Sequence, residues 1–167
     1  MEFMARVENF NSKLWSYHFK VPQAIAMHFK EEGIKRLLCT MNDTVKLQCA
    51  IMPAGDGVYF INLNKKIRDQ LKLKEGSQVS VKLERDDSEF GLPFPVELEE
   101  VLAQDKPGKE YFFKLTPGKQ RNIIYGVSQV KNTDQRIQRA MIMINHLKAN
   151  KGKIDFRQLT LELKSIS

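Results

Sequence analysis

The sequence predicts an α+β protein: a barrel-like, strand-rich front half with an internal duplication, followed by a small all-α domain. Two observations carry this. Apolar residues recur with a period of two before residue 86 and with the period of about 3.6 of a helix after residue 95. Within the front half, one pattern of strand, helix and glycine occurs twice at a fixed offset. At 167 residues, 42% hydrophobic and 28% charged, the chain suits one or two small domains with a buried core.

Residues 14–21 alternate, with Trp15, Tyr17, Phe19 and Val21 on one side and Ser16, His18 and Lys20 on the other. This predicts a half-buried strand with an exposed His18. Pro22 can open a helix because its missing N–H costs nothing there. Ile25 and Phe29 share the face of that helix, and Gly33 ends it. Strands are expected over 34–41 and 44–51 around the Asn42-Asp43 turn, and over 58–62 after Gly55-Asp56-Gly57. Asn64 is a good cap for a short helix with Ile67 and Leu71 on its apolar face. Gly76 then leads into a strand over 78–83. Adding 42 to Val21, Pro22, Ile25 and Phe29 gives Leu63, Asn64, Ile67 and Leu71, which is the basis for expecting duplication.

Residues 86–95 combine acidic side chains, a glycine and two prolines, marking the boundary. The domains are expected at 1–90 and 96–152, with a linker at 91–95 and a tail at 153–167. Helices are expected over 96–104 and 110–115. A third is signalled by Thr116-Pro117, with Ile123, Ile124, Val127 and Val130 on one face. The last, from Asn132-Thr133 to about 149, is expected to bury Ile137, Met141, Ile144 and Leu147. In the tail, Leu159, Leu161 and Leu163 alternate with polar residues, as in an edge strand or a disordered end.

The longest apolar run, residues 140–144, is far short of the roughly 18 residues a membrane span needs. Glu2 stands where a signal peptide is basic, so a cytoplasmic location without membrane partners is expected. Cys39 and Cys49 flank the Asn42-Asp43 turn out of direct opposition and are expected to be reduced core residues. His18, His28 and His146 are scattered, with no metal-ligand spacing, and no cofactor or small-molecule ligand is expected.

Residues 61–81 resemble the swapped-hairpin, AbrB-like transcription regulators, whose pattern is strand, Ile-Pro-Lys-x-Ile-Arg-x-x-Leu, glycine turn and Val-x-Val strand. Asn64 replaces the proline and Ser77 the acidic residue after glycine. Within that superfamily, residues 5–90 look most like a bacterial domain of unknown function that builds an AbrB-like double-split β-barrel from one chain. Residues 95–150 resemble the bacteriocin-protection or OmpD-associated (OmdA-type) helical domain through Leu98, Leu102, Phe113, Leu115, residues 116–121 and residues 131–139. The second resemblance implies a link, for some members, to resistance against cationic antimicrobial peptides.

The chain carries 27 basic and 20 acidic side chains, net +7. Residues 1–94 hold 14 and 12, net +2; residues 95–167 hold 13 and 8, net +5. Such an excess attracts polyanions, so nucleic acid or an acidic protein surface is the expected partner. The candidate anion-binding residues are Lys65, Lys66, Arg68 and Lys72 near the short helix, which in AbrB-like regulators lies near nucleic acid, and Lys131, Arg136 and Arg139 near the last one. Arg136 and Arg139 sit where positive charge opposes the helix dipole. That predicts either an ion pair, with Glu97, Glu99, Glu100 or the acidic linker, or capture of an external anion. No nucleophile elbow or phosphate-cradling glycine loop occurs, and Asp86, Asp87 and Glu89 lie in a proline-bounded linker. The expected function is therefore non-enzymatic binding of a polyanion, with a protein-interaction or stress-protection role as the alternative.

Overall fold

A computed structural model describes residues 1–12 and 16–166. The chain divides into two compact units, Met1–Asp87 and Ser88–Ser167. The first contains β1 (Glu2–Asn9), β2 (Tyr17–Val21), α1 (Gln23–Glu31), β3 (Leu37–Met41), β4 (Val45–Cys49), β5 (Met52–Gly55), β6 (Val58–Asn62), α2 (Lys65–Gln70) and β7 (Gln78–Arg85). Among the described residues the strands form one antiparallel sheet in the order β4-β3-β7-β1-β2-β6-β5, curled into a half-barrel. Its concave side is filled by Val7, Phe19, Cys39, Met41, Ile61 and Val79, all essentially inaccessible.

The local signals act as the sequence indicates. Asn42 and Asp43 both take positive φ, 46° and 53°, in the β3–β4 turn. Asn64 caps α2, its side chain accepting from the Ile67 N–H at 2.9 Å. Pro53 is tolerated because β5 is an edge strand. The repeat is visible in the register. Phe19 pairs with Ile61 and Thr40 with Lys82, so residues 42 positions apart face each other directly, as equivalent residues do at a two-fold axis.

Several expectations need correction. Leu14 and Trp15 lie outside the described residues. His18 is buried, not exposed: Phe10 folds over it in a stack with centroids 3.5 Å apart, and Phe60 meets its edge. Residues 2–9, to which the sequence reading assigns no element, form β1, paired with both β7 and β2. Cys39 opposes Leu47 and Cys49 opposes Leu37; both cysteines are free and buried.

The second unit contains α3 (Val96–Gln104), α4 (Lys106–Lys114), α5 (Pro117–Ser128), α6 (Thr133–Ala149) and α7 (Phe156–Lys164). Its core joins Leu98 and Leu102 of α3, Phe112 of α4, Ile123, Ile124 and Val127 of α5, and Ala140, Ile144 and Leu147 of α6. The linker residues 91–95, and Phe90, placed by the sequence at the end of the first domain, belong to this unit: Phe90, Leu92 and Phe94 pack against the core, with the Phe90 and Phe94 rings 4.7 Å apart. The tail is a helix, neither a strand nor disordered. Asp155 caps it by accepting from the Gln158 N–H at 3.0 Å, and Leu159 and Leu163, four apart, face inward. The alternation of leucines hides this because Leu161 points outward.

Among the described residues, no helix is long and apolar enough to cross a membrane.

Candidate functional site

The basic residues singled out by sequence divide into two kinds. Lys65 and Lys66 open α2 and are exposed, as is Lys72 just after it, at φ 52°. Lys131 is exposed ahead of α6. The three arginines serve the fold. Arg68 lies over the Tyr17 ring, its guanidinium carbon 3.8 Å from the centroid. Arg136 donates from Nε to the Val130 carbonyl at 2.7 Å, and Arg139 from Nε to the Gly126 carbonyl at 2.8 Å. Both stand on the first turns of α6 but reach back, Arg139 to the last turn of α5, where positive charge is favoured, and Arg136 to the loop just after it. Asn132 caps α6 itself, accepting from the Gln135 N–H, with Asp134 in its first turn.

Arg136 also reaches the ion pair the sequence reading offers: its Nη1 lies 3.6 Å from Oε1 of Glu97. The Glu97 side chain is only 7% exposed. Its other oxygen, Oε2, is buried and accepts no hydrogen bond.

Glu97 leads to a groove that the sequence reading missed. One wall is a face of α3, with Val96, Glu97, Glu100, Val101 and Gln104; Asp105 closes its end. The other wall is the stripe Ile137, Met141 and Asn145 of α6, spaced by four. The volume is about 580 Å³. Ile137 and Met141, expected in the core, are instead 38% and 50% exposed here, and Val96 is 71% exposed. α6 has more apolar positions than the core can cover: Ala140, Met143, Ile144 and Leu147 already fill the inward side. The signal available in the sequence was this surplus, together with Val96 beside three glutamates.

The groove lining is acidic, with Glu97, Glu100 and Asp105 and no lysine or arginine. Glu100 accepts from Gln104 Nε2 at 2.6 Å. Asp105 pairs with Lys148 and accepts from the Gly108 N–H at 2.9 Å; these two contacts, the lysine first, hold its carboxyl below the usual carboxylate range. An apolar floor with carboxylates around it suits an occupant that is apolar along one stripe and cationic beside it.

The two buried histidines are structural. His18 lies 3.6 Å from Glu8, itself paired with Lys20. His146 accepts from the Asp155 N–H at Nε2, 3.1 Å, so its proton is on Nδ1, donated to Glu162 at 2.9 Å. This latch seats α7 on α6. Among the described residues no three His, Cys, Asp or Glu side chains group as metal ligands do.

Comparison with known proteins assigns both units. Residues 3–83 match the family described as Domain of unknown function (DUF1905), and residues 92–150 match the family described as Bacteriocin-protection, YdeI or OmpD-Associated. Searches of curated proteins and of solved structures found no match. The half-barrel therefore belongs to the first of these families and the helical unit to the second, and the chain is a two-domain protein in which a DUF1905 domain precedes an OmdA domain.

Proposed function

We propose that this is a non-enzymatic, cytoplasmic binding protein whose helical domain receives a basic amphipathic helix of a protein or peptide in the groove between α3 and α6. The observation that carries the reading is the exposure of Val96, Ile137 and Met141 in a groove of about 580 Å³ whose charged lining residues are all acidic. Isolated apolar side chains on a surface are ordinary, but three gathered in one concavity are characteristic of an interaction site. Burying two apolar anchors contributes about 1.5–3 kcal/mol each, less than the roughly 8 kcal/mol of micromolar affinity, so binding weaker than micromolar is expected. A family described as bacteriocin-protection accords with a peptide ligand.

A labelled peptide with leucines at helical spacing and lysines on the flanks tests this by fluorescence anisotropy. Saturable binding is expected, with at least a tenfold loss on Met141→Glu or Val96→Glu and little binding of the same peptide with glutamates for lysines. Binding that ignores both substitutions, or no binding, contradicts the reading.

A second reading, contact with phosphates of a nucleic acid, is favoured by the exposure of Lys65, Lys66 and Lys72 on and just after α2. It goes with an AbrB-like origin of the half-barrel, in which two halves of one chain replace two subunits; the direct pairing of Phe19 with Ile61 supports that origin.

A further inference from the structure

The chain carries a helix of the chemistry the groove selects. α7 turns Leu159 inward and presents Glu162 to the His146 ring. On the opposite side, within one helical face, lie Arg157, Leu161 and Lys164. Leu161 is 62% exposed, and both basic residues are exposed. Glu162, the acidic residue of α7, is turned away from this face, and Lys151 and Lys153 precede the helix.

We infer that the outward face of α7 from a second copy of the chain docks in the α3–α6 groove, Leu161 seating against Val96, Ile137 and Met141, with Arg157 and Lys164 beside Glu100. The inference rests on the groove reading above and names its partner. Complementarity of charge selects the occupant. The helical unit is basic as a whole, yet its groove has carboxylates and no lysine or arginine in its lining; Glu97 and Asp105 are held by Arg136 and Lys148, which leaves Glu100 to attract the basic face of this helix. The partner must be another copy, because the chain's own α7 is latched through its inner side to His146 of α6. Each chain then offers one helix and one groove. Two such contacts related by a two-fold axis close a dimer.

Sedimentation equilibrium of the full chain, from micromolar to near-millimolar concentration, is the test. The weight-average mass is expected to rise from 19.4 kDa toward twice that value. Leu161→Glu and Met141→Glu, both at exposed positions, should each weaken association at least tenfold, since each loses an apolar contact; Leu161→Glu also sets carboxylate against carboxylate. Leu161→Ala, which adds no charge, should weaken it in the same direction. An equimolar mixture of the two glutamate variants retains one intact helix and one intact groove, so it should associate more strongly than either alone. Circular dichroism and an unchanged unfolding midpoint establish that the variants are folded. A wild-type chain that stays monomeric throughout, a dimer indifferent to these substitutions, or a mixture that gains nothing overturns the inference. If the chain stays monomeric while the basic peptide still binds in a Met141-dependent way, self-docking fails and the groove reading stands; if the peptide fails as well, both fall.

Discussion

The guanidinium of Arg136 lies 3.6 Å from the carboxylate of Glu97 while its Nε holds the Val130 carbonyl at 2.7 Å. One side chain thus ties the start of α3, which forms a groove wall, to the corner between α5 and α6. Removing it strands a buried carboxylate and frees a carbonyl. Arg136 is itself about one-third exposed, so solvent screens the pair, and Arg136→Ala is expected to cost about 1–3 kcal/mol. Chemical denaturation of Arg136→Ala, Glu97→Gln and the double variant should show coupling, the double costing less than the sum.

Asp105 gives a pH dependence. Lys148 and the Gly108 N–H hold its carboxyl below the ordinary value of 3.8. A depressed carboxylate adds stability that is complete above the unfolded-state value and is lost as pH falls through the folded-state value. Asp105→Asn keeps the capping oxygen and removes the charge. It should cost about 0.5–1 kcal/mol at neutral pH, with the gap from wild type closing as the solution is acidified below the ordinary carboxylate value. Urea midpoints at several pH values read this directly.

Gly126 permits close packing of α5 on α6. A Cβ there would meet the Met143 methyl group, the far end of a flexible side chain that can turn aside, so Gly126→Ala is expected to cost less than about 1 kcal/mol. Gly118, on the first turn of the same helix, has nothing within 4 Å, and Gly118→Ala should stabilise by about 0.4–1 kcal/mol.

The two thiols should be inert in the folded chain. The neighbouring Cys39 thiol and burial push Cys49 far above the ordinary thiol range, so almost no thiolate is present. An alkylating reagent at mildly alkaline pH is expected to leave both cysteines unmodified until denaturant is added; mass spectrometry counts the adducts.

For the phosphate reading, charge reversal at Lys65, Lys66 and Lys72 should weaken binding of duplex DNA regardless of sequence. The salt slope should fall by about one for each lysine that contacts a phosphate. A slope unchanged by all three substitutions would remove that reading.

Local chemistry made much of this fold legible. Asn64, Asn132 and the Asn42-Asp43 turn act through their own backbone neighbourhoods, so their roles could be read from the sequence directly. What could not be read depends on contacts distant in sequence or on competing periods. β1 carries a period-two signal in Phe3, Ala5 and Val7, which Met4 interrupts on the other face, and pairing on both sides makes it decisive. His18 followed the polar alternation of its strand, and only Phe10 folding over it made it buried. The basic groups illustrate the same limit. The sequence places Arg136 and Arg139 against the dipole of α6 and offers Glu97 as an ion-pair partner, but their reach to the Val130 and Gly126 carbonyls depends on the helix corner itself. The groove was hidden because Ile137 and Met141 share the four-residue spacing of the true core positions of α6.

The most direct test is methyl-resolved NMR of the full chain titrated with the basic amphipathic peptide. The account predicts shift changes concentrated on Val96, Val101, Ile137 and Met141, saturating with the anisotropy isotherm. Changes confined to methyls of the half-barrel, or none at saturating peptide, would contradict it.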